Sequence, residues 1–457
     1  MSGKRFLISA PSSGSGKTLI TCGILQALVN RGLSVASFKC GPDYIDPMFH
    51  SRVIGTKSRN LDTFFAREDT VRDLLEKNSR DCEISVIEGV MGYYDGVGGI
   101  SSWASAYDVA EKTGTPAVFL VNCKGMSVSL VPFIKGFLEY KKDSWIRGVI
   151  LNQISPMLYP RMKKMIEEEL PVKVYGYVPA LTDCVLESRH LGLVLPEEIE
   201  DLREKLQKLA AVLEKSVDLD GLLELGGTAE QLREGQEEVL PQVAVNIAVA
   251  RDEAFCFFYE DNLELLRKMG ANLIEFSPLH DRKIPDHVQG LILNGGYPEL
   301  YGERLSKNTS MLTSIRESIQ GGLPYMAECG GFMYLHEKME DMDGMIWKMA
   351  GVIPGTVFRT PRLTRFGYIT LEEGRCFGED VGKIPAHEFH YFDSECCGED
   401  FLAKKPLSER SWRCIHSGKQ GMAGFPHLYY YGNKKVPEAF LRACEERKLE
   451  YGTGTGS

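Results

Sequence analysis

The sequence has no paired cysteine motif. Its 12 cysteines include no C-x-x-C spacing, and Cys396 and Cys397 form the only close pair. This scatter excludes a zinc-ribbon type of metal site and gives no sign of a disulfide framework. Several cysteines, for example Cys22 and Cys123, lie in apolar stretches, where a free thiol behaves as a small hydrophobic side chain. We therefore expect a protein of the reducing cytoplasm.

Long apolar runs and a surplus of basic charge are also absent. The first apolar run covers only residues 6–10, which is too short for a signal peptide. No run approaches the ~18 residues that a membrane-spanning helix needs. The formal net charge of −10 excludes a general nucleic-acid-binding surface, which would need a basic face. We expect neither a membrane nor a nucleic acid as a partner.

The composition is that of a globular protein with more than one hydrophobic core. The chain has 457 residues, 43% of them hydrophobic and 25% charged, and this length favours two or three domains. Apolar strand-like runs alternate with helix-length segments, which predicts an α/β fold with two doubly wound domains. The predicted domains are residues 1–195 and 243–457, joined by a helical segment and an acidic, polar linker over residues 196–242.

The stretch KRFLISAPSSGSGKT at residues 4–18 has the order of a phosphate loop. A short apolar run precedes the Gly/Ser turn and a segment with helical spacing follows it, as such a loop requires. Backbone N–H groups and the helix N-terminus would then surround phosphate oxygens. The usual G-x-x-x-x-G-K-[ST] pattern has glycine where this chain has Pro11, so an ordinary Gly/Ser-rich turn is the alternative. The predicted ATP-binding residues of the loop are Ser13, Gly14, Ser15, Gly16, Lys17 and Thr18.

Two further predicted strands end in charged residues. The strand over residues 34–38 leads into Lys39, a second cation for the nucleotide, and then into a loop with Asp43 and Asp46. These two aspartates are candidate metal ligands or substrate contacts, and a turn with solvated carboxylates is the alternative. The strand over residues 84–87 ends at Glu88, which would hold magnesium beside Thr18 in the Walker-B manner. Parallel strands bring such residues together, because ligands bind outside their carboxyl ends.

Two polar residues complete the predicted nucleotide site. Asn152 ends a strand that begins at residue 148 and is placed to hydrogen-bond the edge of adenine. Arg189 lies in the stretch ESRHLGL and is a candidate clamp for phosphate or carboxylate. A solvated loop arginine is the alternative for Arg189.

A second chemical site is predicted in the C-terminal half. The short strand over residues 324–327 enters ECGGFMYL, a strand–Cys–Gly–Gly–helix turn. A cysteine on such a turn stands at the head of a helix, whose dipole lowers the thiol pKa. We therefore predict Cys329 as a nucleophile, with a buried structural cysteine as the alternative. Gly330, together with Gly296 of the Gly295-Gly296 turn, would supply the N–H groups of an oxyanion hole.

A thiol nucleophile needs a base. His427, in the stretch GFPHLY near the end of the chain, is our preferred base, and His390 is the second candidate. His387 lies three residues before His390, and a structural or substrate-side role is the simpler interpretation of both. A nucleotide site combined with a thiol site suggests that ammonia released from an amide reacts with a carboxylate activated by ATP.

An ordered set of motifs resembles the cobyrinic acid a,c-diamide synthase family. The matching stretches, which run through most of the chain in the family's order, are APSSGSGKT, FKCGPDYIDP, EGVMGYYDG, ESRHLGL, LNGGYPE, ECGGFMYL and HEFHY. The resemblance implies a dethiobiotin-synthetase-like P-loop ATP domain followed by a class I glutamine amidotransferase-like domain. It also implies a ligase that forms C–N bonds with glutamine as the nitrogen donor.

The resemblance further implies which groups react. ATP would phosphorylate the a- and c-acetate carboxylates of cobyrinic acid, in cobalamin biosynthesis, and ammonia from glutamine would displace phosphate. Lys17 and Lys39 would neutralise the γ-phosphoryl group. Cys329 would form a thioester with glutamine while His427 transfers the proton. The implied Mg²⁺ ligands are Thr18, Asp43 and Glu88, and the implied contacts with the tetrapyrrole are Tyr44, Asp46 and Asp95.

One departure from the family pattern and several alternatives remain. Triad glutaminases usually carry a glutamate two residues past the histidine, but here Leu428 and Tyr429 follow His427, so the base lacks its usual orienting carboxylate. Sirohydrochlorin, its nickel complex or sirohaem are alternative substrates for the same chemistry. A non-catalytic P-loop regulatory ATPase and a cobyric acid synthase-like enzyme are further alternatives. The sequence leaves the oligomeric state open, including a homodimer.

Overall fold

The computed structural model describes residues 3–181, 188–189, 192–193, 201–232 and 238–452. The chain divides into two compact units, Met1–Gln236 and Glu237–Ser457. This division falls inside the predicted linker over residues 196–242. Within the described residues, no helix combines the length and the apolar composition that crossing a membrane requires.

The N-terminal unit is built on a seven-stranded parallel sheet with the order β3-β2-β4-β1-β5-β6-β7. Its central strands are nearly continuous apolar runs that are buried on both faces, as in sheets covered by helices on each side. A separate two-stranded antiparallel ladder joins β8 and β9. The strands are β1 (Lys4–Ser9), β2 (Val35–Cys40), β3 (Lys57–Leu61), β4 (Ile84–Glu88), β5 (Ala117–Asn122), β6 (Ile146–Asn152), β7 (Lys173–Val178), β8 (Ser188–Arg189) and β9 (Gly192–Leu193).

Eight α-helices accompany these strands in the described part of the unit. Helix α4 begins after Ser105, whose hydroxyl accepts the Asp108 N–H, and α8 begins after Asp218, whose carboxylate accepts the Gly221 N–H. A π-helical turn over Phe49–Ile54 follows α2 directly. The helices are α1 (Lys17–Asn30), α2 (Ile45–Met48), α3 (Glu68–Ser79), α4 (Ala106–Thr113), α5 (Leu130–Glu139), α6 (Tyr159–Glu169), α7 (Leu202–Ser216) and α8 (Leu219–Gly226).

The charge-rich helical segment that precedes the linker packs onto the N-terminal sheet domain. Helix α7 lies so close to α1 that a Cβ on Gly23 would be 2.6–2.8 Å from the Leu209 and Leu213 side chains. Arg31, just after α1, makes ion pairs of 2.6 Å with Glu214 and 2.7 Å with Asp220. The segment therefore contributes two helices to the N-terminal unit, in addition to the predicted strands and helices over residues 1–195.

The C-terminal unit has a six-stranded sheet with the order β11-β10-β12-β13-β23-β22, in which only β22 is antiparallel. Two smaller sheets, β15-β14-β16-β19 and β21-β20-β17-β18-β24, complete the unit. The strands are β10 (Asn246–Ala250), β11 (Asn272–Phe276), β12 (Gly290–Leu293), β13 (Tyr325–Glu328), β14 (His336–Glu340), β15 (Ile346–Lys348), β16 (Ile353–Arg359), β17 (Arg365–Glu372), β18 (Ile384–His390), β19 (Phe392–Ser394), β20 (Phe401–Lys404), β21 (Ser411–Cys414), β22 (His416–Ser417), β23 (Gly421–Gly424) and β24 (His427–Leu428).

The helices of this unit follow its parallel strands, as the alternating pattern predicts. Helix α11 begins after Asn308, whose side chain accepts the Met311 N–H. A six-residue helix, α12, starts immediately after Cys329. The α-helices are α9 (Glu260–Lys268), α10 (Gly302–Lys307), α11 (Thr309–Gln320), α12 (Gly330–Leu335) and α13 (Lys435–Gly452).

The predicted α/β class with two doubly wound domains is confirmed. The sequence did not reveal β3 or most of the short strands between α12 and α13, because few of them carry a long apolar run. Strands such as β15 alternate exposed and half-buried residues and end in turns, and their pairing depends on distant partners rather than on local pattern.

Candidate active sites

The phosphate loop lies between β1 and α1. Gly14 and Gly16 have φ values of 74° and 90°, in the left-handed region that glycine adopts without steric cost. The Ser15 hydroxyl donates to the Ser12 carbonyl at 2.9 Å, which closes the turn. Ser13 and Gly14 are exposed at the tip of the loop. The loop therefore has a backbone shaped for an anion despite the proline at its start.

Lys17 is the first residue of α1 and is folded back over the loop. Its ammonium group donates to the Ser12 carbonyl at 2.9 Å and to the Met91 carbonyl at 2.5 Å. Burial, followed by the nearby charge of Lys39, lowers the pKa of Lys17 to about 8. An anionic ligand would restore the charge that burial disfavours, because an opposite charge stabilises the ammonium form.

Four side chains from four elements converge behind this lysine. The Thr18 hydroxyl donates to Glu88 Oε1 at 2.6 Å and to Asp46 Oδ2 at 3.3 Å. Lys39 Nζ lies 2.5 Å from Asp46 Oδ2 and 2.8 Å from Glu88 Oε1. All of these ion-pairing groups are buried. The structure thus brings together Thr18, Lys39 and Glu88 as predicted, and places Asp46 with them.

His50 is a member of this cluster that sequence reasoning missed. Its Nε2 lies 3.0 Å from Glu88 Oε2, and both side chains are fully buried. Burial alone would raise the pKa of Glu88, but Lys39 and then His50 lower it well below its ordinary value. Burial and the neighbouring carboxylates of Asp43 and Glu88 raise the pKa of Asp46. No sequence signal points to His50, because it lies in an irregular turn far from the phosphate loop in sequence.

The oxygen groups in this cluster are the type that Mg²⁺ prefers. The Thr18 hydroxyl and the carboxylates of Asp46 and Glu88 are hard oxygen donors close to the phosphate loop. Among the described residues, no group of three His, Cys, Asp or Glu side chains forms a metal site by itself. Asp43 lies at the edge, where its Oδ1 accepts the Ile45 N–H at 2.8 Å.

The remaining predicted nucleotide residues have different settings. The Asn152 side-chain amide donates to the Ser15 carbonyl at 3.0 Å, so in this structure it supports the phosphate loop. Arg189 lies in β8, and its side chain is outside the described atoms. Tyr44 immediately precedes α2 and is buried. Nothing in these positions assigns Tyr44 or Arg189 a role, and both remain predictions.

Asp95 lines an open cavity beside the phosphate loop. The cavity has a volume of about 580 Å³. Asp95 Oδ2 accepts the Gly92 N–H at 3.0 Å, which fixes one edge of its loop. Pro11 also lines the cavity, so its wall is continuous with the start of the phosphate loop.

Cys329 occupies a sharp turn between β13 and α12 in the C-terminal unit. Its backbone φ of 46° and ψ of −104° lie outside the regions that non-glycine residues usually adopt. Its N–H donates to the Gly424 carbonyl at 2.8 Å, which holds the turn against the neighbouring strand β23. A strained nucleophile position of this kind is typical of a nucleophile elbow.

The two glycines predicted for the oxyanion hole lie side by side. A Cβ on Gly330 would be 3.1 Å from the Gly296 nitrogen and 2.9 Å from the Pro298 ring. Gly296 has a φ of 159°, and a Cβ there would be 2.1 Å from the Ala254 carbonyl oxygen. A side chain at either position would therefore disturb the turn that brings the Gly296 nitrogen next to Gly330.

The thiol is not activated in the way the sequence suggests. Burial raises the pKa of Cys329 well above its ordinary value, and the nearby Glu299 raises it further. The thiol is therefore neutral without substrate, and it needs a base to remove its proton.

His427 lies in β24 and contacts the same glycine turn. A Cβ on Gly295 would be 2.6 Å from His427 Cε1, so only glycine leaves room for this imidazole. Burial lowers the pKa of His427 to about 3, which keeps the ring neutral without substrate. Its Nδ1 lies 3.8 Å from Oε2 of Glu328, the residue directly before Cys329.

The other two histidines of this region have separate partners. His387 stacks on His427 with ring centroids 4.9 Å apart, and its Nε2 lies 2.9 Å from the Tyr259 hydroxyl. His390 Nδ1 donates to the Phe392 carbonyl at 2.6 Å, and its Nε2 lies 3.3 Å from Glu388 Oε2. Both Nδ1 and Nε2 of His390 are thus engaged, whereas His427 borders the glycine turn beside the cysteine.

Comparison with known proteins agrees with this arrangement. Residues 6–194 match the CobQ/CobB/MinD/ParA nucleotide binding domain, and residues 246–418 match the CobB/CobQ-like glutamine amidotransferase domain. A cobyrinate a,c-diamide synthase of Caldanaerobacter subterraneus subsp. tengcongensis is 39% identical over 96% of this chain and 98% of its own length. Another, of Priestia megaterium, is 35% identical over 98% of this chain and 99% of its own length. The chain belongs to the cobyrinate a,c-diamide synthase family.

Membership of the cobyrinate a,c-diamide synthase family confirms the predicted class of enzyme. The chain is a glutamine-dependent ligase that forms amide bonds, with a nucleotide-binding domain followed by a glutamine amidotransferase domain. Within this family framework, sequence reasoning missed His50 and Glu328. Glu328 lies inside the quoted ECGGFMYL stretch, and the missing glutamate after His427 was the one signal that another carboxylate was needed.

Proposed function

We propose that this member of the family amidates the a- and c-acetate carboxylates of cobyrinic acid through acyl phosphate intermediates. The N-terminal unit would activate each carboxylate with ATP, and the C-terminal unit would supply ammonia from glutamine. The observation that supports the proposal best is the combination in one chain of a phosphate loop backed by carboxylates and a cysteine elbow flanked by glycines and a histidine. The names of the relatives suggest the substrate.

In the activation step, a substrate carboxylate oxygen attacks the γ-phosphorus of ATP and ADP leaves. Lys17 and Lys39 would offset the negative charge on the transferred phosphoryl group, because electrostatic stabilisation and positioning dominate phosphoryl transfer. Lys17 would exchange its two backbone carbonyl partners for phosphate oxygens. Asn152 would keep the phosphate loop in shape through Ser15.

The oxygen cluster would hold Mg²⁺ when ATP is bound. Thr18, Glu88 and Asp46 are the residues whose oxygens converge, and Mg²⁺ supplies charge neutralisation of the β- and γ-phosphates in such sites. Asp43, predicted as a ligand, lies at the edge of the cluster. Its negative charge would act there by raising the pKa of Lys39 and of Asp46. We keep Tyr44 and Asp95 as candidate contacts with the tetrapyrrole and Arg189 as a candidate clamp.

In the glutaminase step, His427 takes the thiol proton of Cys329 and the sulfur attacks the side-chain amide carbon of glutamine. The oxyanion that forms would accept the Gly296 and Gly330 N–H groups. The C–N bond then breaks as the nitrogen receives the proton. Ammonia departs, and the glutamyl group remains on Cys329 as a thioester. Water hydrolyses the thioester to glutamate, and the ammonia displaces phosphate from the acyl phosphate to give the amide.

An amidation assay across tetrapyrroles tests this proposal. The purified chain is incubated with ATP, Mg²⁺ and glutamine together with cobyrinate, sirohydrochlorin, or the nickel and cobalt complexes of sirohydrochlorin. We expect two amides on cobyrinate, detected by product mass, with stoichiometric ADP and phosphate. Preferred diamidation of a sirohydrochlorin would show that the proposed substrate is wrong and that the proposed reaction type is right. ATP hydrolysis without amide formation on any tetrapyrrole would contradict the proposal.

A further inference from the structure

The cavity beside the phosphate loop has an aromatic wall. Of the site residues predicted from the sequence, only Asp95 lines the same cavity. Helix α5 supplies Phe133 and Phe137, Tyr140 follows the last residue of that helix, and the loop after β4 supplies Tyr94. The Tyr94 ring stacks on Phe137 with centroids 5.8 Å apart and meets Tyr140 edge-on at 4.8 Å. The Tyr94 hydroxyl also donates to the Phe137 carbonyl at 2.7 Å. The wall is therefore held in place before any ligand binds.

Parts of this wall are exposed to solvent although they are apolar. Tyr140 is 66% exposed and Ile100, on the opposite loop, is 81% exposed. Large apolar side chains exposed around a concave surface mark a binding site more often than an ordinary surface. A volume of about 580 Å³ is in the usual range of small-molecule sites.

We propose that this aromatic groove binds one face of the tetrapyrrole ring, with Phe137 and Tyr140 as its stacking platform. Rings with a conjugated π-system stack on aromatic side chains. The groove begins at Pro11, where the phosphate loop starts, so a ring on the platform has an edge close to the ATP phosphates. The inference rests on the proposed function, since it assigns a site to the substrate of that reaction.

The charges around the groove also suit a polycarboxylate ring. Lys141 Nζ lies 5.4 Å from the centroid of the Tyr140 ring and 5.4 Å from that of Tyr107. Its ammonium group can pair with peripheral carboxylates of a ring that stacks on Tyr140. Asp95 is the acidic residue of the lining, and its Oδ2 is occupied by the Gly92 N–H.

Gly136 offers a way to fill the groove without damaging the fold. It lines the cavity in the middle of α5, and a Cβ there would meet no atom within 4 Å. Leucine has a higher helix propensity than glycine, so Gly136→Leu is expected to fold at least as well as the original chain. Gly418, in the other unit, is a matched control because its Cβ would also meet nothing within 4 Å.

Gly136→Leu is expected to weaken cobyrinate binding by about tenfold or more, because the new side chain covers the stacking platform. Binding is measured by equilibrium dialysis with Mg²⁺ and a non-hydrolysable ATP analogue, using the absorbance of the corrin. Tyr140→Ala should weaken binding in the same direction, and Gly418→Leu should leave it unchanged. ATP binding and glutaminase activity should be unaffected in all three variants.

The outcomes separate this inference from the proposed function. Unchanged cobyrinate binding in Gly136→Leu and Tyr140→Ala would overturn the groove assignment even if the original chain forms the diamide. Failure of the original chain to bind cobyrinate would also overturn it. If the chain binds cobyrinate through the groove but forms no amide, the groove assignment stands and the proposed reaction fails.

A second inference follows from the glutaminase site. His427 lacks a glutamate two residues later, yet a carboxylate is present on its Nδ1 side. Glu328 Oε2 lies 3.8 Å from His427 Nδ1. The same oxygen accepts the Leu428 N–H at 3.3 Å, which fixes the carboxylate beside the imidazole.

We infer that Glu328 is the positioning residue that orients His427 in place of the missing glutamate. A carboxylate on the Nδ1 side leaves Nε2 to accept the thiol proton and stabilises the imidazolium that results. The ion pair between Glu328 and His427 would form when glutamine binds and His427 is protonated. This requires only a modest shortening of the 3.8 Å separation. Because Glu328 directly precedes Cys329, one turn would fix both the nucleophile and the orientation of its base.

Glu328→Gln is expected to lower kcat for glutamine hydrolysis by about 10- to 1,000-fold with little change in KM. Burial raises the pKa of Glu328 to about 8, and an imidazolium formed beside it favours its ionised form. Glutamine has the same shape and can still accept the Leu428 N–H, so the fold is retained while this ionised form is lost. The matched control is Glu388→Gln, since Glu388 is another buried glutamate and is paired with the other candidate histidine, His390. The measurements are steady-state glutaminase kinetics and the rate at which a diazoketone analogue of glutamine alkylates Cys329.

A merely structural role for Glu328 would give a different pattern. Loss of both the glutamine-dependent and the ammonia-dependent reactions, or a rise in KM at unchanged kcat, would overturn the inference. So would full glutaminase activity of Glu328→Gln. A greater kcat loss in Glu388→Gln than in Glu328→Gln would assign the base to His390 instead.

Discussion

Cys329→Ala is expected to reduce glutamine-dependent amidation by at least about a thousandfold while ammonia-dependent amidation continues. Cys329 stands on the elbow between β13 and α12, where its sulfur faces the Gly330 N–H. Removal of the sulfur leaves no atom to form the thioester. The ATP site lies in a separate compact unit of the chain, Met1–Gln236, and keeps its residues unchanged.

The measurement compares diamide formation from glutamine with that from an ammonium salt, under the same ATP and tetrapyrrole concentrations. Cys396→Ala is the matched control, because it removes a half-buried thiol in the same unit and away from the elbow. The control should retain both reactions. Equal loss of the glutamine and ammonia reactions in Cys329→Ala would contradict the division of labour, as would normal use of glutamine.

Lys17→Ala is expected to reduce amidation by about a thousandfold with either nitrogen source, because it removes a cation that offsets charge on the transferred phosphoryl group. The ammonium group is already directed into the phosphate loop by the Ser12 and Met91 carbonyls. Its burial makes it a fixed charge rather than a mobile surface one, so bulk salt cannot replace it.

Two readouts separate loss of chemistry from loss of folding in this variant. Glutaminase activity belongs to the other unit, and we expect Lys17→Ala to retain the capacity to hydrolyse glutamine. Lys164→Ala, which removes a lysine with a side-chain exposure of 75%, should retain every activity. Amidation by Lys17→Ala at a rate near that of the original chain would rule out the phosphate-loop assignment.

The sequence was sufficient for the fold class and for three of the residues that the structure brings together behind the phosphate loop. Each predicted group follows a buried apolar strand, and parallel strands place such groups at a shared edge of the sheet. For this reason Thr18, Lys39 and Glu88 could be predicted to meet, although they are far apart in the chain. Cys329 could be found because an elbow needs small residues immediately after the nucleophile, and Gly330 and Gly331 provide them.

The contributions of His50 and Glu328 could not be predicted in the same way, and Asp46 could be named only as a candidate metal ligand or substrate contact. His50 reaches Glu88 from a π-helical turn, and Asp46 reaches Thr18 from the start of α2, neither of which has a clear local sequence pattern. Glu328 meets His427 only because the long-range pairing of β13 with β23 brings the next strand, β24, close to the elbow. The raised pKa of Cys329 was also missed, because burial is a property of the folded surroundings.

The most direct test of the central claim follows an oxygen atom through the reaction. Cobyrinate labelled with ¹⁸O in its a- and c-acetate carboxylates is converted with unlabelled ATP and glutamine, and the inorganic phosphate is analysed by mass. An acyl phosphate intermediate predicts that each amide formed transfers one ¹⁸O from the carboxylate to phosphate. Diamide formation with unlabelled phosphate would contradict carboxylate activation by ATP.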